Sequence, residues 1–329
     1  MRPPILRNAG LILLAALLLP VARAEPLKQI ATVPLPNVAG RIDHLAFDAQ
    51  HQRFFVAALG NNTVEVLDAA RNAHLKSLPG FHEPQGIAVA SDFGAIAVAN
   101  GDTGTLQLLD AESFATRWTV DVGGDADNVR YDAAAKQLYV AAQGGLYRVD
   151  PESKKVEKRI AIDGHPESFQ LEAAGNRIYA NLPGVVSSQV VVGDRSAGSV
   201  VARWSSLGCR SNYPMALDET AMRVFIGCRS PARLAALESG SGKVTTSADI
   251  VGDTDDLFSD APRQRIYVIG GEGFVDVLQR RGETIERAAR VATRGGARTG
   301  LWVAATNRLY VAVPARDGQG AEVRVFEAE

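Results

Sequence analysis

Seven similar segments that recur every 40 to 46 residues predict an all-β fold, a seven-bladed β-propeller with four-stranded blades, in residues 25–329. Two further observations support this prediction. Each segment is followed by more short strand-like segments, and one strand near the start of the chain completes the last, otherwise incomplete unit. Long stretches with apolar residues at helical spacing are absent from the sequence, so little helix is expected.

The first strand of each unit begins with polar or small residues, continues with apolar residues and ends in a turn, as in the sequence DHLAFD at residues 43–48. The seven first positions are Asp43, Gln85, Asp127, Glu167, Tyr213, Asp255 and Arg298. The seven second positions are His44, Gly86, Asn128, Ser168, Pro214, Asp256 and Thr299. The identities differ from blade to blade, whereas a purely structural position should repeat the same residue.

The other strands of each unit also follow a pattern. Second strands such as Arg53–Ala57 and Gln137–Ala141 are rich in Val, Ile, Phe and Tyr, which is typical of buried inner strands. Third strands often end on an acidic residue, as Thr63–Asp68 does, and fourth strands such as Ala115–Val120 are more polar. Four short strands per unit, of which the last is the most polar, indicate a propeller blade whose fourth strand forms the outer edge.

Closure of the ring gives an independent test of the prediction. The last unit shows only three strands, near residues 298–302, 307–313 and 322–327. The segment Leu27–Val33 is a strand without a unit of its own. We expect it to be the fourth strand of the last blade, because this pairing covers an edge that would otherwise be exposed.

The first 24 residues predict a signal peptide. Arg2 and Arg7 precede the apolar run Leu11–Leu19, and Ala22–Ala24 has the small-x-small pattern of a cleavage site before Glu25. The alternative is a membrane anchor, but the run is shorter than the roughly 20 residues that span a bilayer. No later stretch is apolar enough to span. We therefore expect a periplasmic or secreted protein with no membrane span after cleavage.

Charge argues against nucleic-acid binding. The formal net charge is -2 over 329 residues, no basic run stands out, and the loss of the three leader arginines would make the charge -5. The two cysteines, Cys209 and Cys228, form no CxxC or CxxCH pattern. In an exported chain such a pair predicts a disulfide. Cys209 precedes the fifth inner strand and Cys228 ends the next strand, so antiparallel pairing would bring them to the same rim.

The repeats resemble a known family. The segments Pro84–Val89, Gln137–Ala141 and Asn61–Asp68 are similar to the YVTN repeat, although no blade spells those four letters. Over all seven blades the chain resembles the YncE-like branch of exported bacterial propellers. This resemblance implies the propeller fold, and it implies no single chemistry, because the family has none in common.

The start positions of the inner strands predict a site at one mouth of the central channel. Oxygen atoms there could hold a hard cation such as Ca²⁺, and a histidine would make the site suit a transition metal. The same groups could hold a polar or cationic small molecule, with Arg298 pairing with an anionic end. The candidate ligand-binding residues are Asp43, His44, Gln85, Asp127, Asn128, His165, Glu167, Tyr213, Asp255, Asp256 and Arg298, of which His44, Asp127, Glu167 and Asp255 are the candidate metal ligands.

Two other interpretations of this mouth remain open. Crowded carboxyls raise one another's pKa, which would provide a general base. Alternatively, polar residues at strand starts cap turns and have no ligand.

The leading functional hypothesis is a non-catalytic module that binds a small polar ligand or a protein partner through the channel mouth. The alternative is a divalent-metal-dependent hydrolase, similar in architecture to lactonase propellers, with the metal at the same mouth. A cofactor-assisted oxidoreductase has no cofactor signature in its favour. We expect a monomer, and a divalent cation is the one candidate cofactor.

Overall fold

The repeated segments form seven four-stranded antiparallel sheets in a computed structural model that describes residues 25–205 and 207–329. The predicted leader, residues 1–24, lies outside the described residues. Three single-turn 3₁₀ helices, Leu59–Asn61, Ser91–Phe93 and Ala304–Thr306, join strands within blades.

Blades 1 to 6 each run in chain order from an inner strand at the central channel to an outer strand. Blades 1 to 3 are formed by β2 (Leu45–Asp48), β3 (Arg53–Ala58), β4 (Thr63–Asp68), β5 (Ala73–Leu78); β6 (Pro84–Ala90), β7 (Ala95–Asn100), β8 (Thr105–Asp110), β9 (Thr116–Asp121); β10 (Val129–Asp132), β11 (Gln137–Ala142), β12 (Gly145–Asp150) and β13 (Lys155–Ala161). Blades 4 to 6 are formed by β14 (Phe169–Leu171), β15 (Arg177–Leu182), β16 (Gln189–Asp194), β17 (Ser199–Trp204); β18 (Arg210–Asp218), β19 (Arg223–Ser230), β20 (Ala232–Glu238), β21 (Val244–Asp249); β22 (Thr254–Asp260), β23 (Arg265–Gly270), β24 (Phe274–Arg281) and β25 (Thr284–Ala292).

The last blade confirms the predicted closure. It consists of β26 (Gly300–Val303), β27 (Arg308–Val313), β28 (Ala321–Ala328) and the first strand of the described chain, β1 (Leu27–Leu35). β1 pairs antiparallel with β28 along its whole length, from Leu27 opposite Ala328 to Leu35 opposite Ala321. Two ends of the described chain thus seal the ring, and β1 covers the outer edge of β28.

The core lies between neighbouring blades rather than in the channel. At the seam of blades 7 and 1, Val33, Phe54 and Tyr310 are buried together, and the Phe54 and Tyr310 ring centroids are 3.9 Å apart. Second strands such as β7 and β11 bury nearly all their side chains, whereas the outer strand β9 has no buried residue. Each fully buried aliphatic or aromatic side chain contributes about 1.5–3 kcal/mol, so these seams stabilise the ring.

The acidic residues at strand ends have a structural role. Asp68, Asp110 and Asp150 each accept hydrogen bonds from the backbone N–H groups two and three positions later. This Asx-type bonding closes the turn between the third and fourth strands, because the side chain satisfies donors that the strand pairing leaves free. The hydrogen bond from the Ser153 N–H is the largest of the effects that lower the pKa of Asp150. The recurrent acid of the third strand is therefore turn chemistry and not part of a site.

Candidate functional site

The inner strands begin at one end of the channel, which we call the upper mouth. A cavity of about 390 Å³ lies there. Six of the seven first-position residues line it, together with one predicted histidine: Gln85, Asp127, Glu167, Tyr213, Asp255, Arg298 and His165. The repeat brings these residues together because each occupies the same place in its own blade, and the blades are arranged around one axis.

The other predicted residues lie deeper or behind the wall. Asp43 is 1% exposed and its Oδ2 accepts a hydrogen bond of 2.7 Å from Arg41 Nη2. His44, Asn128 and Asp256 form a group below the upper mouth, in which Asn128 Nδ2 is 3.1 Å from His44 Nε2 and Asp256 Oδ2 is 3.3 Å from His44 Nδ1. The second-position residues thus form the floor of the site rather than its rim.

One wall of the upper mouth, contributed by blades 3 and 4, carries two carboxyls and an imidazole. Potential ligand atoms of Asp127, His165 and Glu167 all lie within 4.8 Å of one another. His165 Nε2 is 2.9 Å from the carbonyl oxygen of Asp125 and Nδ1 is 3.5 Å from Glu167 Oε1. An N–H bond from Nε2 to that carbonyl orients Nδ1 toward the carboxyls, which is how metal-binding histidines are commonly held.

The pKa values of this wall reflect its crowding. Burial raises the pKa of Asp127 well above its usual range, and the neighbouring Glu167 carboxylate raises it further. Burial lowers the pKa of His165, but hydrogen bonds and charges from Glu167, Asp125 and Asp127 outweigh it and raise the pKa to about 9. The raised pKa values of Asp127 and His165 mean that this wall stabilises bound protons, and hence positive charge.

The opposite wall, from blades 5 to 7, is an ion-pair network. Arg229 Nη2 donates to Asp255 Oδ1 at 2.8 Å, and Arg298 Nη1 donates to Asp253 Oδ1 at 3.1 Å. The Arg229 guanidinium also lies 3.8 Å from the Tyr213 ring centroid. Burial raises the pKa of Asp255 to about 7, although Arg229 opposes the shift. Arg298, which the sequence suggested for an anionic end of a ligand, has Asp253 and Asp255 as its carboxylate partners in this structure.

His44 is the cation at the centre of the floor. Its ring nitrogens lie 3.3 Å from Asp256, 3.5 Å from Asp43 and 3.9 Å from Asp127. Burial lowers the pKa of His44, but the charges of these three carboxyls raise it to about 10. Both of its ring nitrogens already have neighbours, Nδ1 at Asp256 and Nε2 at Asn128. In this state His44 balances the buried carboxyls, and the cluster that could hold a metal contains His165 in its place.

Sequence reasoning missed five residues that line the upper mouth: Arg41, Leu59, Glu83, Asp125 and Arg229. Arg41 and Asp125 each lie two positions before a first-position residue, so a wider window around the strand starts would have found them. Arg229 ends the second strand of blade 5, which returns to the same rim, and it directly follows Cys228. The antiparallel pairing that predicts the disulfide also places Arg229 at this rim, so that pairing was the available signal.

The predicted disulfide is confirmed. Cys209 and Cys228 are bonded, with their Cα atoms 5.9 Å apart, and no cysteine is free. The bond joins the start of β18 to β19 beside Arg229, so it anchors the segment that presents Tyr213 and Arg229 to the upper mouth. Separately, no helix among residues 25–205 and 207–329 is long and apolar enough to cross a membrane.

Comparisons with known proteins agree on the fold. No protein-family model matches the chain. The uncharacterized protein YwhL of Bacillus subtilis (strain 168) is 28% identical over 125 residues, which are 38% of this chain and 27% of that protein. A chain of Kuenenia stuttgartiensis hydrazine synthase has a TM-score of 0.76 at 15% identity and covers 87% of this chain and 97% of its own length.

A second solved structure gives the same result. A chain from the structure titled "Crystal Structure of Mitotic Checkpoint Complex" has a TM-score of 0.77 at 11% identity and covers 100% of this chain and 99% of its own length. At these identities the likenesses show the seven-bladed propeller and nothing of the activity. The resemblance to the YncE-like family stays a prediction.

Proposed function

We propose that this protein is an exported, YncE-like binding propeller whose upper mouth takes a cationic group, either a divalent metal ion or an ammonium of a small ligand. The observation that carries the proposal is the wall of Asp127, Glu167 and His165. Potential ligand atoms of these two carboxyls and one imidazole lie within 4.8 Å of one another and line the cavity of the upper mouth. Pockets of this size commonly bind small molecules through a few convergent polar groups.

The charges around the cavity favour a cation over an anion. The three arginines of the upper mouth each have a carboxylate partner: Arg41 with Asp43, Arg229 with Asp255, and Arg298 with Asp253 and Asp255. An anion could therefore pair with one of these three arginines only by displacing its carboxylate partner. On the wall contributed by blades 3 and 4, a cation between Asp127 and Glu167 would relieve the repulsion between these two carboxyls.

Export rests on the sequence of residues 1–24 and agrees with the disulfide. A Cys209–Cys228 bond persists in oxidising compartments and is rare in the cytosol of mesophiles. We expect the mature chain, isolated from the periplasm or the medium, to begin at Glu25. Intact mass spectrometry of the natively expressed protein tests this, and a chain that retains residues 1–24 would contradict it.

A protein partner is the second form of the binding hypothesis. The loop between β15 and β16 presents Val185 and Val186, whose residues are 82% and 84% exposed. Val185 also lines a groove shared with His165, Glu167 and Tyr213, so this apolar tip lies next to the upper mouth. A partner that inserts a lysine or arginine into the mouth would cover both valines.

The alternative function is a divalent-metal-dependent hydrolase. The same cluster favours it, because one imidazole and two carboxylates suit Zn²⁺ or Mn²⁺, and a metal bound there with open positions would polarise a substrate oxygen or activate water. Asp127 and Glu167 would ligate through oxygen and His165 through Nδ1. The neighbouring carboxyl of Asp255, with its raised pKa of about 7, could accept or hold a proton near that position.

Isothermal titration calorimetry of the mature protein separates these possibilities. Zinc chloride, calcium chloride and putrescine are titrated into the wild type, Asp127→Asn and Asp249→Asn. The control residue Asp249 is a carboxylate whose side chain is 83% exposed on the outer strand β21. We expect at least one cation to bind, with an affinity that falls about tenfold or more in Asp127→Asn and is unchanged in Asp249→Asn.

The outcomes have distinct meanings. Binding of putrescine alone supports the non-catalytic module, and stoichiometric metal binding with turnover of a lactone or phosphotriester supports the hydrolase. Failure of all three cations to bind, or equal binding by both variants, would show that the cluster is not a cation site.

A further inference from the structure

The channel contains a second cavity below His44, which we call the lower cavity. It has a volume of about 380 Å³ and is lined by residues farther along the inner strands than those of the upper mouth. Its walls are mostly apolar, and its charged groups are few. The residues that matter here are Phe47, Phe258, Leu301, Arg130, His44 and Asp256.

Arg130 is the unusual group in this cavity. Its Nη1 donates to the carbonyl oxygen of Val129 at 2.9 Å. Within the described chain, no carboxylate oxygen lies within 4.0 Å of its guanidinium, in contrast to the paired arginines of the upper mouth. Burial lowers the pKa of Arg130, although the more distant charges of Asp256 and Asp127 oppose the shift. The guanidinium carbon of Arg130 also lies 5.5 Å from the centroid of the Phe169 ring. A part-buried guanidinium without a carboxylate partner favours an anion in this cavity.

The other charges of the lower cavity are already balanced against each other. Asp256 Oδ2 lies 3.3 Å from His44 Nδ1 and accepts a hydrogen bond of 2.9 Å from the Gly300 backbone N–H. His44 and Asp256 therefore form a closed pair at the inner end of the cavity. Among the described residues, Arg130 is the charged side chain of this cavity that has no oppositely charged group within 4.0 Å.

The chemistry of an occupant follows from these facts. One guanidinium matches one negative charge, and its planar fork suits a carboxylate that accepts two hydrogen bonds. A dianionic phosphate would leave a second charge unpaired among Phe47, Phe258 and Leu301. The same apolar walls would bury an aromatic or aliphatic body and gain about 25 cal/mol for each Å² removed from water.

We propose that the lower cavity is a second binding site, independent of the upper mouth, for a small amphipathic monocarboxylate. Its carboxylate pairs with Arg130 and its apolar body packs against Phe47, Phe258 and Leu301. The channel then has two sites of opposite preference, a cation at the upper mouth and an anion at the lower cavity, separated by the His44 group.

The test uses 3-phenylpropionate as the probe, titrated into the mature protein by calorimetry. Its neutral isostere 3-phenylpropionamide and inorganic phosphate are measured in parallel. We expect 3-phenylpropionate to bind in the millimolar range or tighter, and both other compounds at least about tenfold more weakly, because a hydrogen-bonded charge pair is lost or an apolar contact is missing.

Variants locate the site. Arg130→Gln is expected to weaken 3-phenylpropionate binding about tenfold or more, whereas Arg159→Gln, on the exposed face of the outer strand β13 in the same blade, should have no effect. Leu301→Trp fills the apolar side with Arg130 intact and should also weaken binding, which keeps the test valid if Arg130→Gln does not fold. Equal affinity for the amide or for phosphate, unchanged binding in both cavity variants, or no binding of 3-phenylpropionate would overturn the proposal.

Discussion

The charge of His44 offers the most direct test of the channel floor. His44→Gln removes a cation that faces Asp43, Asp127 and Asp256 at 3.3–3.9 Å and keeps a side chain of similar polarity. The His44 side chain is 13% exposed, so solvent screens these interactions only weakly. We expect the variant to fold with lower stability, and the loss to depend on pH.

The magnitude follows from the pKa of His44, which is raised from 6.5 to about 10 in the folded protein. A pKa raised on folding adds stability that is complete below the unfolded value and disappears as the pH rises through the folded value. At one pKa unit per 1.36 kcal/mol, this contribution is about 4 kcal/mol at pH 7 and below about 1 kcal/mol at pH 10. Proton uptake by the carboxyls left behind in His44→Gln offsets part of the loss, so about 4 kcal/mol is the upper value.

Urea unfolding of wild type and His44→Gln at pH 7 and pH 10 measures this difference. His51→Gln is the matched control, because His51 is in the same blade, outside the channel, and bonds a single carboxylate, Asp48, at 2.6 Å. Subtracting the control removes the effects of lysines and tyrosines that titrate near pH 10. A free-energy loss in His44→Gln that is absent at pH 7, or that is as large at pH 10 as at pH 7, would refute the assignment of His44 as a buried cation.

Three further predictions concern the scaffold. Replacing Cys228 by Ser opens a disulfide that spans 19 residues and should lower the unfolding free energy by about 3 kcal/mol. Reductant should lower the unfolding free energy of the wild type by the same amount and leave that of the variant unchanged. Leu27→Ala in the closing strand should cost about 3 kcal/mol in urea unfolding, whereas Ile30→Ala, 38% exposed on the same strand, should cost below about 1 kcal/mol; equal losses would argue against closure by β1. Gly86→Ala would place a Cβ 2.2 Å from the backbone oxygen of Asp127. This variant should lose about 2 kcal/mol of unfolding free energy and bind cations more weakly at the upper mouth. Gly124→Ala, whose Cβ would meet nothing within 4 Å, should behave as wild type.

The sequence alone was sufficient for the architecture because a propeller is built from local repeats. Strand composition, turn residues and a period near 42 residues are all read within a single blade, and seven copies make the pattern unambiguous. The closing role of Leu27–Val33 and the Cys209–Cys228 bond also followed, since both depend only on antiparallel pairing between elements already assigned. The same logic brought six first-position residues to one cavity.

Depth, pairing and charge were decided by the tertiary structure. A start position gives a residue its place around the axis, but whether its side chain reaches the cavity depends on neighbours from other blades. Asp43 is held behind the wall by Arg41, and His44 turns inward to three carboxyls from blades 1, 3 and 6.

Contacts between different blades also determine which histidine joins the candidate metal cluster and which groups line the lower cavity. His165 joins Asp127 and Glu167 through contacts between blades 3 and 4. Arg130 has no carboxylate within 4.0 Å in the described chain, because Asp256, which lines the same cavity, bonds His44 and the Gly300 backbone N–H instead. Local sequence determined which strands form and in what order they close. The relative rotation and depth of side chains from different blades determined the chemistry, because those distances depend on how all seven sheets pack around one axis.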